Sequence, residues 1–299
     1  FGIRRLIIEN ASIQHLEYLG DVFDRVQCPC IILQLKVTLK KLSTVGMTVS
    51  ANGNTFEILK EREVKPEYFS FIMNDEEYSI LKKIEQVSPV EFLEGKARFA
   101  LGIVTGNNKE YISQVKTDEN EMILKGSDLL KYRYTSPQNY ITFKPKNFQQ
   151  VAPIGYYRSS EKLLYRFICS QLVFAYDNKQ TLSLNSCNIL IPEVPGLSIK
   201  YILAILNSRI AQYYFRKKFN SVKILRSHIE QIPIACPRLD EHEEMISMVE
   251  NLLNSEKSEI ILERYNEIDK KVSTIYKMTE IEYQTICSFV DTENLFLVQ

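Results

Sequence analysis

The chain has 299 residues, 45% hydrophobic and 25% charged, with 37 basic and 37 acidic side chains. That supplies a full core without disulfide or metal staples. No run approaches the roughly 20 apolar residues of a membrane helix and no secretory-leader pattern is seen at the start, so a cytoplasmic protein with no membrane partner is expected.

Phe1-Gly2-Ile3 opens in mid-pattern, so the chain reads as a piece of something longer. A first helix ends near Glu9-Asn10, and Ser12 to Leu19 alternates as a strand. Cys30 to Leu35 is a continuous apolar run with β-branched residues, the signature of a fully buried strand. Thr38 to Pro66 is polar, with a turn at Ser50-Ala51-Asn52-Gly53-Asn54. Asn74 caps a helix over Asp75 to Gln86, with Glu77 as its capping-box partner. From Gly95 to Pro192 the chain reads mostly as strands: Arg98 to Val104, Tyr140 to Phe143, Leu172 to Tyr176 and Asn188 to Pro192. A short helix capped by Ser160 is expected between Arg158 and Arg166. Ser198 caps one helix from Ile199 to about Lys218, its stripe formed by Ile202, Leu206, Ile210 and Tyr213. Asp240 with Glu243 opens a long helical tail whose apolar stripe includes Ile246, Val249 and Leu253. Thr279 with Glu282 starts a last helix.

The zero net charge hides an asymmetry. Leu130 to Gln180 carries eight basic residues against two acidic, Gly196 to Arg238 eight against one, and Leu239 to the end five against fourteen. A basic middle with an acidic tail suits a polyanion binder whose tail does something else, and also suits charge scattered over a solvated surface. The six cysteines show no zinc-knuckle spacing and read as reduced thiols. Cys28 and Cys30 flank Pro29, which favours a strand edge. There is no phosphate-binding glycine loop, no nucleophile elbow, no metal-ligand spacing among His15, His228 and His242, and no nuclease-like acidic pair beside a lysine. The chain itself carries no catalytic or metal site that can be named, and no cofactor is expected in it.

Four stretches in this order carry a family resemblance. Gly102-Ile103-Val104-Thr105-Gly106-Asn107-Asn108-Lys109-Glu110-Tyr111 is followed by Leu124-Lys125-Gly126-Ser127-Asp128-Leu129 with Lys131. Then come Tyr201-Ile202-Leu203-Ala204-Ile205-Leu206-Asn207-Ser208 with Tyr213 and Tyr214, and Ile229-Glu230-Gln231-Ile232-Pro233-Ile234. Together they resemble the target-recognition domains of TaqI-like adenine-specific DNA methyltransferases and the fused type II restriction–modification enzymes related to them. Ile268-Asp269-Lys270-Lys271-Val272 with Ile275-Tyr276-Lys277-Met278-Thr279 is similar to the family's ending. Phe1 to Val37, with Asp21-Val22-Phe23 as a turn, resembles the end of its methyltransferase domain. The family's cofactor-binding and Asn-Pro-Pro-Tyr motifs are missing.

The resemblance implies an α+β chain. Residues 1–45 would be a remnant of a methyltransferase α/β sheet and 46–94 a linker and helix. Residues 95–238 would be a mostly β target-recognition domain with inserted helices, and 239–299 a helical tail. It implies sequence-specific recognition of double-stranded DNA, as the specificity part of a phage-defence protein. The parent would methylate adenine with S-adenosylmethionine through an upstream methyltransferase domain, with or without a fused endonuclease. On this reading Lys131, Arg133, Lys144, Lys146, Arg158, Lys162, Arg166, Lys217, Lys218 and Lys223 lie along phosphates. Asn107, Asn108 and Lys109 reach base edges. For Lys217 and Lys218 the helix dipole is an equal reading; for Thr105 to Asn108 a plain hairpin turn is an equal reading. Two other functions stand beside this one: a protein–protein scaffold of a phage-defence complex docking through the acidic tail, and a specificity subunit of a multi-subunit restriction system. No internal repeat supports the latter.

Overall fold

The computed structural model describes residues 2–24, 28–38, 43–51, 53–64, 69, 71–219, 221–290 and 295–297. The chain divides into two compact units, Phe1–Lys83 and Ile84–Gln299.

In the first unit α1 (Gly2–Asn10) leads into β1 (Ala11–Asp21), followed by β2 (Pro29–Val37), β3 (Thr48–Ala51), β4 (Asn54–Glu57) and α2 (Asp75–Glu85), whose end marks the division. The sheet order is β2-β1-β3-β4, with β1 parallel to β3. A register shift between Ile13 and His15 moves the buried face of β1 from Ala11 and Ile13 to Leu16, as an extra residue in a strand must. The apolar run at 30–35 does form a strand, but an edge strand that among the described residues pairs only with β1, so Ile31 is 51% and Ile32 50% exposed. Residues expected as linker instead supply β3 and β4: Met47, Val49, Ala51 and Ile58 are buried beside Ile7 and Ile13. Asn52, in the expected turn, lies outside the described residues. The Asn74 cap is as read: Glu77 N donates to Asn74 Oδ1 (2.9 Å) and Asn74 N to Glu77 Oε2 (3.1 Å).

The second unit runs β5 (Val90–Glu91), β6 (Ala97–Ala100), α3 (Asn108–Tyr111), β7 (Ile112–Ser113), β8 (Glu121–Leu124), β9 (Tyr140–Ile141), α4 (Ile154–Tyr157), β10 (Lys162–Arg166), β11 (Phe174–Asp177), β12 (Leu182–Ser183) and β13 (Cys187–Pro192). Then come α5 (Ile199–Asn207), α6 (Arg209–Lys218), α7 (Arg226–Ile229), β14 (Ile234–Ala235), α8 (Leu239–Leu253), α9 (Ser258–Ile275) and α10 (Glu280–Val290). Two four-stranded sheets, β11-β10-β13-β6 and β12-β8-β9-β7, share a core that includes Ile103, Ile123, Leu164, Val173, Leu182 and Ile189. The architecture is the expected α+β mixture.

Three expectations are corrected. Between Arg158 and Arg166 there is no Ser160-capped helix but the strand β10, bonded to β11 on one side and β13 on the other. An apolar strand paired on both edges buries Leu163, Leu164 and Tyr165 together, and a continuous apolar run does not distinguish this from a buried helix. The long helix from Ile199 breaks at Ser208, which is extended and caps α6 by accepting from Ala211 N (3.1 Å). In the tail, helix α8 starts two residues earlier than expected, with Arg238 N donating to Glu241 Oε2 (3.0 Å). Its buried face is Met245, Val249 and Leu252 rather than Ile246 and Leu253.

Candidate nucleic-acid interface

The motif residues build the frame of the second unit. Gly102 and Gly126 both face the turn at Leu184–Cys187. A Cβ on Gly102 would lie 2.1 Å from the Leu184 carbonyl oxygen, and one on Gly126 2.4 Å from that of Ser186. Backbone packs on backbone there, which only glycine permits. Asn207 acts as a strand surrogate for β11: its Oδ1 accepts from Phe174 N (3.0 Å) and its Nδ2 donates to Phe174 O (2.8 Å). Next to it, buried Arg209 pairs with buried Asp269 of α9 (3.0 Å), and Tyr283 donates to the same carboxylate (2.7 Å). Tyr201 donates to Ala235 O (2.6 Å) and Tyr276 to Pro233 O, so helix and tail motifs hold the β14 segment.

This frame consumes several of the cations expected along DNA. Lys131 is fully buried and donates to the carbonyl of Asn207 (2.9 Å), at the negative end of α5. Lys162 is fully buried too, paired with Asp177 and donating to Tyr157 O (2.7 Å). Burial disfavours both charges. It keeps the Lys162 ammonium below its usual range, while Asp177 remains below the ordinary carboxylate range because Lys162, Thr181 and Tyr134 outweigh its desolvation. Neither lysine can meet a phosphate. Arg133 donates to Ser255 O (3.0 Å) and Arg166 to Leu129 O (3.2 Å from Nε). Arg158 forks onto Glu121 (2.6 and 2.8 Å), which raises its pKa, and also donates to Gln180 O (2.9 Å). Lys217 lies over the Phe289 ring (4.0 Å) and Lys218 pairs with Glu85 (3.0 Å), both at the C-terminal end of α6.

Lys109, Lys144 and Lys146 differ. They are exposed, and among the described residues their side chains make no hydrogen bond or ion pair. They are also neighbours by construction. Val104 and Gln150 exchange both backbone hydrogen bonds (2.9 and 3.0 Å), tying the segment 104–111 to the segment 144–150. Tyr111 and buried Phe148 meet edge to face at 5.4 Å. The turn expected at Thr105–Asn108 leads into the one-turn helix α3 rather than a hairpin. Thr105 Oγ1 donates to Asn108 Oδ1 (2.6 Å), and Asn107 Nδ2 to Glu110 (3.3 Å). Asn107, Asn108, Lys109, Lys144 and Lys146 therefore stand on one loop pair, while Lys223 lies elsewhere, opposite Ile168. In the stretch Lys144-Pro145-Lys146-Asn147-Phe148-Gln149-Gln150 the charge pattern singles out the lysines and gives no reason to choose the amides. Asn147, Gln149 and Gln150 are exposed around the Phe148 anchor. Among the described residues no cluster of His, Cys, Asp and Glu could hold a metal, and no helix is long and apolar enough to cross a membrane.

This arrangement of small sheets, inserted helices and a packed helical tail has a fold seen in a restriction–modification enzyme. It superposes on the type IIL restriction-modification enzyme MmeI, solved in complex with DNA, with a TM-score of 0.55 and 11% identity over 93% of this chain and 46% of that one. Residues 121–234 match the TaqI-like C-terminal specificity domain. Matches also include the type IIG restriction endonuclease BpuSI (TM-score 0.41, 10% identity, 91% of this chain, 44% of that one). The HsdS subunit from Thermoanaerobacter tengcongensis matches at TM-score 0.35 and 13% identity, over 75% of this chain and 51% of that one. The chain spans about half the length of these solved proteins. No curated protein sequence matches it.

Proposed function

We propose that the chain is the DNA-reading part of a cytoplasmic restriction–modification protein that serves in phage defence and recognises duplex DNA by sequence. A preceding methyltransferase domain would transfer the methyl group of S-adenosylmethionine to adenine. The observation that carries this reading is the loop pair joined at Val104 and Gln150, where Lys109, Lys144 and Lys146 stand exposed with no partner among the described residues. Cations already bound inside a fold have little to offer a polyanion. Unengaged ones set around a rigid loop can release the counterions of a phosphate backbone, and the amides between them can address base edges. The likeness to MmeI and the match to the TaqI-like specificity domain support it.

Fluorescence anisotropy with mixed-sequence duplex DNA across a salt series tests it. Affinity should fall steeply with salt. The double variant Lys144→Ala/Lys146→Ala should weaken binding to all duplexes alike. It should also flatten the slope of log affinity against log salt by roughly 2, close to one for each phosphate no longer neutralised. Lys131→Met should lower stability and leave the slope as it is. Absence of binding even at low salt would sink the reading.

A further inference from the structure

The two asparagines of the first segment are already engaged: Asn108 Oδ1 accepts from Thr105, and Asn107 Nδ2 donates to Glu110. Those bonds shape the turn. Gln149, on the facing segment, is in the opposite condition. It is exposed, and its amide makes no hydrogen bond among the described residues. Its backbone is nonetheless fixed on both sides. Phe148 is buried against Tyr111 before it, and Gln150 is doubly bonded to Val104 after it. Its side chain lies over Gly106, in the left-handed region at φ +83°. A Cβ there would come 3.4 Å from Gln149 Cβ and 3.6 Å from its Oε1. The Gln149 amide thus lies within van der Waals reach of Gly106, on the loop pair that also carries Asn107 and the exposed cations Lys109 and Lys146.

We infer that Gln149 is a specificity-determining residue that reads one adenine of the target in the major groove, while Asn107 and Asn108 hold the facing turn. The inference rests on the DNA-reading function proposed above. A glutamine carries one donor and one acceptor at the spacing of adenine's exocyclic amine and ring N7, so a fixed backbone can present it to both at once. A glutamate in its place keeps the length and loses the donor, which suits the exocyclic amine of cytosine.

The test uses the full chain and selection of bound duplexes from a random-sequence library, comparing wild type with Gln149→Ala and Gln149→Glu. Circular dichroism and thermal unfolding should not distinguish the exposed-site variants from wild type. Wild type should select a motif containing an adenine. Gln149→Ala should lose discrimination at that one position by about 5- to 150-fold, the range of a bidentate amide–adenine pair, and keep the rest of the motif. Gln149→Glu should shift that position toward cytosine. A wild-type motif that survives unchanged in both variants overturns the inference and leaves the DNA-reading function standing. Wild type that selects no motif overturns both.

Discussion

Gly102 shows how little of a motif need touch a ligand. Its missing side chain lets two stretches of backbone meet, and any Cβ would strike the Leu184 carbonyl, which cannot step aside as a flexible side chain can. Gly102→Ala should cost on the order of 3 kcal/mol, read as a lower urea midpoint. The pair Lys162–Asp177 makes a second case. Both side chains are fully buried, so Asp177→Asn leaves an ammonium without its partner and should cost about 3–5 kcal/mol. Because Asp177 titrates below the ordinary carboxylate range when folded, its contribution is fully present at neutral pH and is lost as pH falls through that lowered titration. Acid unfolding followed by circular dichroism should therefore show a stability loss at low pH that Asp177→Asn lacks. Charge alone points Lys162 at a phosphate. Charge is legible in a sequence, but whether a partner lies fifteen residues away across a strand pair is not.

Among the elements, several with local signals are legible, though the caps expected at Ser160 and Asp240 are not the ones formed. The boxes at Asn74 and Glu77 and at Thr279 and Glu282, and the Ser198 cap, all form, because each depends on residues three or four apart. The break at Ser208 is not, since its cause is distant. Asn207 turns its amide to Phe174 of β11, thirty-three residues away, and the helix restarts on the serine that follows. Asn207→Ala would leave the Phe174 amide buried and unpaired, while its carbonyl keeps the bond it accepts from Tyr132 N (2.7 Å). One unsatisfied buried donor should destabilise by about 1–3 kcal/mol, measurable as a lowered unfolding midpoint. β10 passes for a helix in the sequence because a strand bonded on both edges shows no alternation.

For the molecule as a whole, the acidic tail belongs to the second compact unit. Helices α8 and α9 pack on α5, and the buried pair Arg209–Asp269 locks α6 to α9. Ending the chain at Arg238 would uncover α5, whose residues Tyr201 to Asn207 are all buried. Such a truncation should give aggregated or molten protein by gel filtration and near-ultraviolet circular dichroism. Residues 84–299 alone should unfold cooperatively. By itself, the sequence determined the α+β class, the helix starts at Asn74, Ser198 and Thr279, and the resemblance of residues 121–234 to the TaqI-like specificity domain, because periodicity, caps and motif glycines act over short spans. Only the tertiary structure decided which cations remain available, since a lysine's freedom depends on what distant strands and helix ends place beside it. It sent Lys131 to a helix terminus and Lys162 to a buried carboxylate, and it left Lys109, Lys144 and Lys146 exposed together on one pair of tied loops.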